Sequence, residues 1–494
     1  MQKIVFFLAL VFGSFACYAG EFVLSRNLFE AQKSIASMRF QDAQKRIERE
    51  RLENPSNLAS DYYQSFLECY QVLINQRNSD FEAFKKASEK RIQRLEAESS
   101  KSEMHDISLC QFELHLGFAK LVFGEYVGAA FNLRSANKLS RTLYAKKPGV
   151  LQNQKNYSLL LAALGTIPPK YAWVVTSIGM EGNFEGGIHK LKEFIAKTAH
   201  KPELELERAE ALFTSTWLLL NFDNNKKETW TFIEKNSQQF QSNLWQAYLR
   251  ALVAEKCYQA RQCVQVIDQK PQENSEEQVP VFWYLRGSAS LCLLKKEANR
   301  DLNQYLKHFK GKLYKKECLK KLCWYALLFE SEQEYKRQRS LFLKTYGEQG
   351  EEKLVGKELE KGILPSKPLL MARLLFDGGQ FNQALSTLQK TKPEQLSAYQ
   401  QLEYYYRLGR IYQEQNQLEE ALSAYKTCVE LAPGFNSYYA PNACLQLGTL
   451  YAATKKTDQA KMWLKKALEF SGYEHESSIN QSASNQLKLL NEVE

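Results

Sequence analysis

Histidine is scarce in this chain: six in 494 residues, at His105, His115, His189, His200, His308 and His475, with no pair at ligand spacing and no HExxH. An imidazole-held metal site therefore has no support. The nucleophile and phosphate signatures are missing as well, since there is no GxSxG elbow, no Walker loop and no GxGxxG after a strand. Ser423-Ala424-Tyr425-Lys426 has the SxxK spacing of serine acyl-transferring enzymes, but no SDN or KTG companion follows it, and an ordinary helix face is the better reading. No catalytic residue, metal ligand or cofactor is assigned, and none is expected. Alternating strand runs are absent too. Beyond the first residues no stretch holds ~18 consecutive apolar residues, so no transmembrane helix is expected in the mature chain.

What the sequence does have is clearest in its last hundred residues. Tyr405, Leu408, Gly409, Tyr412, Ala421, Tyr425 and Pro433 fall at the spacings of the tetratricopeptide signature. The reason is steric. Small residues stand where two antiparallel helices cross, aromatics fill the gaps beside them, and a proline ends the second helix because it cannot continue the backbone ladder. Leu447, Gly448, Tyr451, Ala460, Leu464 and Ala467 repeat the pattern, and Ala372, Leu375, Ala384 and Leu388 precede it, with Asp377-Gly378-Gly379 as the turn between helices. Toward the N-terminus the pattern loosens, although Trp283, Gly287 and Ala298 keep part of it. Phe213 to Asn221, Leu244 to Cys257 and Leu319 to Leu328 are apolar at i, i+3, i+4 and i+7 and read as helices. The expectation is an all-α chain, a tetratricopeptide-like solenoid of helical hairpins wound as a right-handed superhelix.

Residues 1–19 hold one lysine, an apolar run from Ile4 to Phe12 and a small-residue ending Cys17-Tyr18-Ala19, the build of a bacterial export signal. Cleavage after Ala19 is expected. Acylation at Cys17 is the alternative, weakened because the leucine usual three residues before such a cysteine is missing. The formal net charge of +10 becomes +9 once Lys3 is removed (10 − 1). Along most helices the cations alternate with glutamate, as in Gln44 to Arg51, which reads as a solvated face. Nine cysteines remain after cleavage, none in CxxC spacing. Cys428 takes the place of a small packed residue, so buried free thiols are expected. Bridges Cys257 to Cys263 and Cys318 to Cys323 are disfavoured, because neither spacing puts both sulfurs on one helix face. Four segments are expected: a signal peptide (1–19), divergent hairpins (20–346), a glycine- and charge-rich joint (347–367) and regular repeats (368–494).

One stretch departs from plain hairpins. Gly165-Thr166-Ile167-Pro168-Pro169-Lys170 breaks a helix, an apolar segment with Trp173 follows, Gly179-Met180-Glu181-Gly182-Asn183 turns the chain, and Gly186-Gly187 opens the next helix. A bend near 165–187 is the architectural reading. Together with the closing block Tyr439-Ala440-Pro441, Leu447-Gly448, Tyr451, Ala467-Leu468 and Tyr473, this segment resembles the eukaryotic inclusion-body clearance family and its animal tetratricopeptide relatives. The resemblance covers a quarter to a third of the chain. It implies an all-helical scaffold without catalytic residues to carry over, linked in eukaryotes to membranes, lipid or protein aggregates. Where that family's turn carries an acidic-basic pair, this chain has Asn183-Phe184, so no role of the pair transfers.

The leading expectation is a noncatalytic exported adaptor at the bacterial cell envelope, binding a protein or peptide on the surface formed by the first helices of the repeats. Repeat register places Arg373, Phe376, Tyr406, Arg410, Gln413 and Glu414 on that surface. The alternative is peripheral recognition of lipid or glycan through Lys170, Trp173, Lys190 and Lys192. Nucleic acid is not expected as a partner, because the many aromatics fall at packing positions.

Overall fold

The computed structural model describes residues 22–97, 102–167, 180–223, 225–272, 279–345 and 355–492. Among these every regular element is helical. The chain divides into two compact units, one made of residues up to Ile74 with Asn78–Leu161 and Glu185–Ala211, the other of Asn75–Arg77, Ala162–Phe184 and Leu212–Glu494.

In the first unit α1 (Arg26–Ala36) packs on α2 (Phe40–Glu53); α3 (Ala59–Asn75) and α4 (Asn78–Ala97) follow, and α5 (Glu103–Val122) packs on α4 and on α6 (Tyr126–Lys146). The start of α1 is fixed by Ser25, whose hydroxyl accepts from the Leu28 N–H. α7 (Leu151–Leu164), α8 (Phe184–Lys197) and the start of α9 (Glu205–Phe222) complete it.

The second unit is a run of hairpins. After α10 (Lys226–Asn236), α11 (Leu244–Lys256) packs on α12 (Ala260–Gln269), α13 (Val281–Cys292) on α14 (Ala298–His308), and α15 (Lys315–Phe329) on α16 (Glu332–Leu343). Beyond the short α17 (Lys357–Glu360), α18 (Lys367–Asp377) pairs with α19 (Phe381–Gln389), α20 (Ala398–Glu414) with α21 (Leu418–Glu430) and α22 (Tyr439–Ala453) with α23 (Thr457–Leu468), and α24 (Glu476–Glu492) closes against the last pair. First helices also touch first helices: α18 meets α13, α15 and α20, and α20 meets α22. That stacking is how a hairpin with one apolar face completes its burial. The unit runs across the segment 347–367, of which 347–354 lie outside the described residues.

The crossing points show why glycine stands there. A Cβ on Gly409 would lie 2.6 Å from the Tyr425 ring, and one on Gly448 2.6 Å from Leu464 Cγ. Gly287 against Leu302 and, in the first unit, Gly117 against Leu133 are the same device at 2.9 and 2.8 Å. Tyr425, Leu464, Leu302 and the neighbouring Ala421, Ala460 and Ala298 have no exposed surface. The nine cysteines from Cys69 to Cys444 are all buried and unbridged, and burial pushes the Cys110 and Cys292 thiols up to about 12.

Residues 168–179, the centre of the expected bend, lie outside the described residues. Its two ends meet. A Cβ on Gly182 would stand 2.2 Å from the backbone of Leu164 and Gly165, and one on Gly165 2.2 Å from the Phe184 nitrogen. Gly165 and Gly182 therefore serve close backbone approach, which any side chain would block.

Candidate protein-binding site

α18 and α20 are successive first helices, and each presents one face: Arg373, Phe376 and Asp377 at i, i+3 and i+4 on one, Tyr406, Arg407 and Arg410 at i, i+1 and i+4 on the other. With Tyr438 and Asn442 at the start of α22, and His475, Ser478 and Ile479 at α24, they line a cavity of about 290 Å³. That is room for about ten water volumes, or for one or two side chains of a ligand. Four of the six residues placed here by repeat register, Arg373, Phe376, Tyr406 and Arg410, line it. Phe376 and Tyr406 line it while buried, so they act as wall and packing at once.

Gln413 and Glu414 lie outside the cavity. Gln413 accepts from the Tyr425 hydroxyl at 2.6 Å and donates to Gln446 at 3.0 Å, which ties it to the packing between hairpins, while Glu414 is exposed. Of the alternative set, Lys170 and Trp173 fall outside the described residues. Lys190 is half-buried with its ammonium 5.5 Å from the Tyr144 ring, and Lys192, further along the same helix, is half-buried too.

The three cavity arginines are held differently. Arg373 donates from Nη1 to both oxygens of Glu358, at 3.2 and 3.0 Å, and lies 4.5 Å over the Trp324 ring. Burial works against its charge, but the facing Glu358 carboxylate outweighs burial and holds the guanidinium firmly protonated. Arg407 is paired with Glu403, Nε to Oε1 at 2.7 Å. Arg410 donates instead to two phenols, Tyr406 at 3.1 Å and Tyr258 at 2.7 Å, and its guanidinium lies 4.8 Å from the Phe376 ring centre. Phenols orient a cation without neutralising it. Arg410 is thus a half-buried positive charge held by neutral phenols and a ring face, on the wall of an open cavity, where an anion would repay its desolvation.

Sequence reasoning missed Arg407, although it stands beside Tyr406 and one turn from Arg410. It also missed Tyr258, Trp324, Glu358, Tyr438 and His475, which reach the site from other helices and the turns beside them and carry no local signal.

The first unit holds a buried polar cluster that spacing did not reveal. Lys155, without exposed surface, pairs with Glu210 and donates to Gln111 at 2.7 Å; His115 Nε2 lies 3.1 Å from Glu210, and Ser65 Oγ 2.8 Å from His115 Nδ1. Serine, histidine and carboxylate in this order superficially match a catalytic triad. Ser65 is wholly buried within α3, however, and Glu210 is committed to the ammonium, which with His115 takes its carboxyl down to about 2 against the opposing effect of burial. The cluster is a scaffold element. Among the described residues no group of three or more His, Cys, Asp or Glu is arranged to hold a metal ion, and no helix is long and apolar enough to cross a membrane.

Residues 402–435 and 441–472, the hairpins α20–α21 and α22–α23, match the family model described as tetratricopeptide repeat. These two hairpins are similar to tetratricopeptide repeats. Repeats of this kind are protein-interaction scaffolds, and the cavity lies on the first helices of both matched repeats and of the hairpin before them. No curated protein matches in sequence. Among solved structures, the chain is similar to the tetratricopeptide domain of P58(IPK) at 16% identity, covering 78% of this chain and 99% of that one with a TM-score of 0.22. The Cut9-Hcn1 hetero-tetramer of APC/C aligns at 13% identity over 94% and 96%, TM-score 0.24, and Naa15/Naa10 bound to HypK-THB at 12% over 94% and 80%, TM-score 0.21. Scores of that size lie below what a shared overall arrangement requires.

Proposed function

We propose that this protein is a noncatalytic tetratricopeptide-repeat scaffold that captures an acidic segment of a partner protein in the α18–α20–α22 cavity. The observation that carries the reading is Arg410: a cation fixed by two phenols and a ring face, on the wall of a cavity whose other arginines already have carboxylates. Preorganisation of this sort lowers the cost of binding, because the guanidinium is already held in place before a ligand arrives. Action at the bacterial cell envelope belongs to the same proposal and is supported by the export-signal build of residues 1–19.

The test is anisotropy of a fluorescein-labelled oligoglutamate peptide with the full chain, against oligolysine and oligoserine controls. Arg410→Gln should weaken oligoglutamate binding about tenfold to a hundredfold, the range of a charge-assisted hydrogen bond, while circular dichroism stays unchanged. Replacing both Arg373 and Arg410 by glutamate should abolish it. Equal binding by wild type and Arg410→Gln, or no preference for the acidic peptide, would sink the reading. Arg410→Gln is the cleaner variant, since Arg373 also holds Glu358 in place.

A further inference from the structure

Around the turn between α5 and α6, from residue 121 to residue 131, five large apolar side chains stand in water: Leu121 at 38% exposure, Val122 at 47%, Tyr126 at 59%, Val127 at 75% and Phe131 at 68%. Single apolar residues at a surface mean little, but a cluster of this kind marks an interaction site. The tip that carries them is firmly held. Phe123 stacks on Phe81 of α4 with ring centres 4.2 Å apart, Gly124 makes the turn at φ +80°, and Gly117 lets α6 close on α5.

The same face of α6 turns cationic immediately beyond. At about 100° per residue, Tyr126, Val127, Ala130 and Phe131 share a side with Arg134, Lys138 and Arg141, opposite the buried Ala129, Ala136 and Ser140. The helix carries four cations, Arg134, Lys138, Arg141 and Lys146, and no acid. Acids on the neighbouring elements already have cations of their own. Glu125 and Glu82 meet Lys85 at 2.7 and 3.1 Å, Glu89 meets Lys120 at 3.6 Å, and Glu103 meets Lys147 at 2.8 Å. Arg134 and Lys138, both exposed, follow Phe131 by about 5 and 10 Å of helix rise.

We infer that the α5–α6 tip docks on an anionic lipid surface, with its apolar side chains among the upper acyl chains and Arg134 and Lys138 at the level of the phosphates. Order and spacing along the helix carry this choice of partner. A bilayer presents a charged layer over an apolar one, and an element seated at its boundary buries its apolar side about 5–10 Å deep. That is the offset between the apolar end of α6 and its cations. Tyr126, apolar in its ring and polar at its tip, is of the type enriched at such a boundary. A second copy of the chain fits less well, because laying one α6 face on another sets four cations against four with no acid of either helix to meet them. The surface belongs to the first unit and uses none of the cavity residues, so it stands or falls apart from the acidic-segment reading.

The experiment uses the full chain with Cys17→Ser and Ala130→Cys, so that an environment-sensitive dye reacts at the tip while the nine other cysteines stay buried. It is titrated with vesicles of phosphatidylcholine alone, or with about one-third phosphatidylglycerol. Anionic vesicles should shift the dye emission to the blue, and neutral ones should bind at least about tenfold more weakly. Arg134→Gln/Lys138→Gln should weaken binding to anionic vesicles about thirtyfold, and Val127→Ser/Phe131→Ser about tenfold to a hundredfold, with circular dichroism and oligoglutamate binding unchanged. A dye unmoved by anionic vesicles overturns the inference, even if the apolar run of residues 4–12 holds the chain on them. An equal response to both lipids, or a shift that survives Arg134→Gln/Lys138→Gln, overturns it too. So does a dimer in sedimentation equilibrium that Phe131→Ser disperses, which would give the tip to a second copy.

Discussion

Lys155 and Glu210 show what a single buried charge does to its surroundings. Neither has more than a sliver of exposed surface, and the carboxylate also meets His115 and Gln111. Burial alone would raise the Glu210 carboxyl; Lys155 first, with His115, brings it down to about 2 instead, and burial keeps His115 below its usual range and neutral. Removing one partner leaves the other charged and unpaired, which costs about 3–5 kcal/mol. Lys155→Met should therefore raise hydrogen exchange in α3 and α5, and the double variant Lys155→Met/Glu210→Leu should recover much of the protection. The pH sign follows from the lowered carboxyl: the contribution is fully present above the unfolded value near 4.5 and is lost as pH falls toward about 2. A destabilisation in Lys155→Met that persists unchanged at pH 2 would contradict the pairing.

At the scale of the helical hairpin, the small crossing residue governs. Gly448→Ala puts a methyl 2.6 Å from Leu464 Cγ and 3.3 Å from the Ala460 carbonyl, and overpacking of this kind costs about 1–3 kcal/mol. Gly149→Ala, with nothing within 4 Å, is the control and should be neutral or slightly stabilising. A melting temperature equally unmoved by both changes would show that the crossing is looser than its geometry. This device is also what made the fold readable. Glycine or alanine at the crossing, aromatics beside it and a proline after it are local, so the spacing of residues alone registers α18 to α23. The same reasoning placed Arg373, Phe376, Tyr406 and Arg410 on one face. It failed wherever the partner is distant in the chain. Tyr258, which orients Arg410, lies some 150 residues before it (410 − 258), and Ser65, His115, Lys155 and Glu210 come from four different helices. Gly117 facing Leu133 was overlooked for another reason: Glu113 and Lys120 stand at the offsets where α20 has Tyr405 and Tyr412, so the crossing glycine of α5 lacks the signature aromatics.

For the whole chain, the open matter is whether 347–367 joins two separable parts. Composition alone suggests such a joint, glycine-rich and charged, ahead of the regular repeats. The contacts across it argue for one cooperative body. Arg410 is held by Tyr258, the Tyr258 ring meets Phe376 at 5.0 Å, Arg261 donates to Gln380 at 2.6 Å, and Arg373 rests on Trp324. Each joins a residue before 347 to one after 367. A specific protease site inserted after Gly350 and cut in the folded protein should therefore leave two fragments that co-elute and still bind oligoglutamate with the uncut affinity. The cavity needs both: its lining comes from residues after 367, but the phenol that fixes Arg410 and the indole beneath Arg373 come from before 347. Fragments that separate on a sizing column, with the C-terminal piece binding as well alone, would instead make 347–367 a joint between independent domains and would remove Tyr258 and Trp324 from the site.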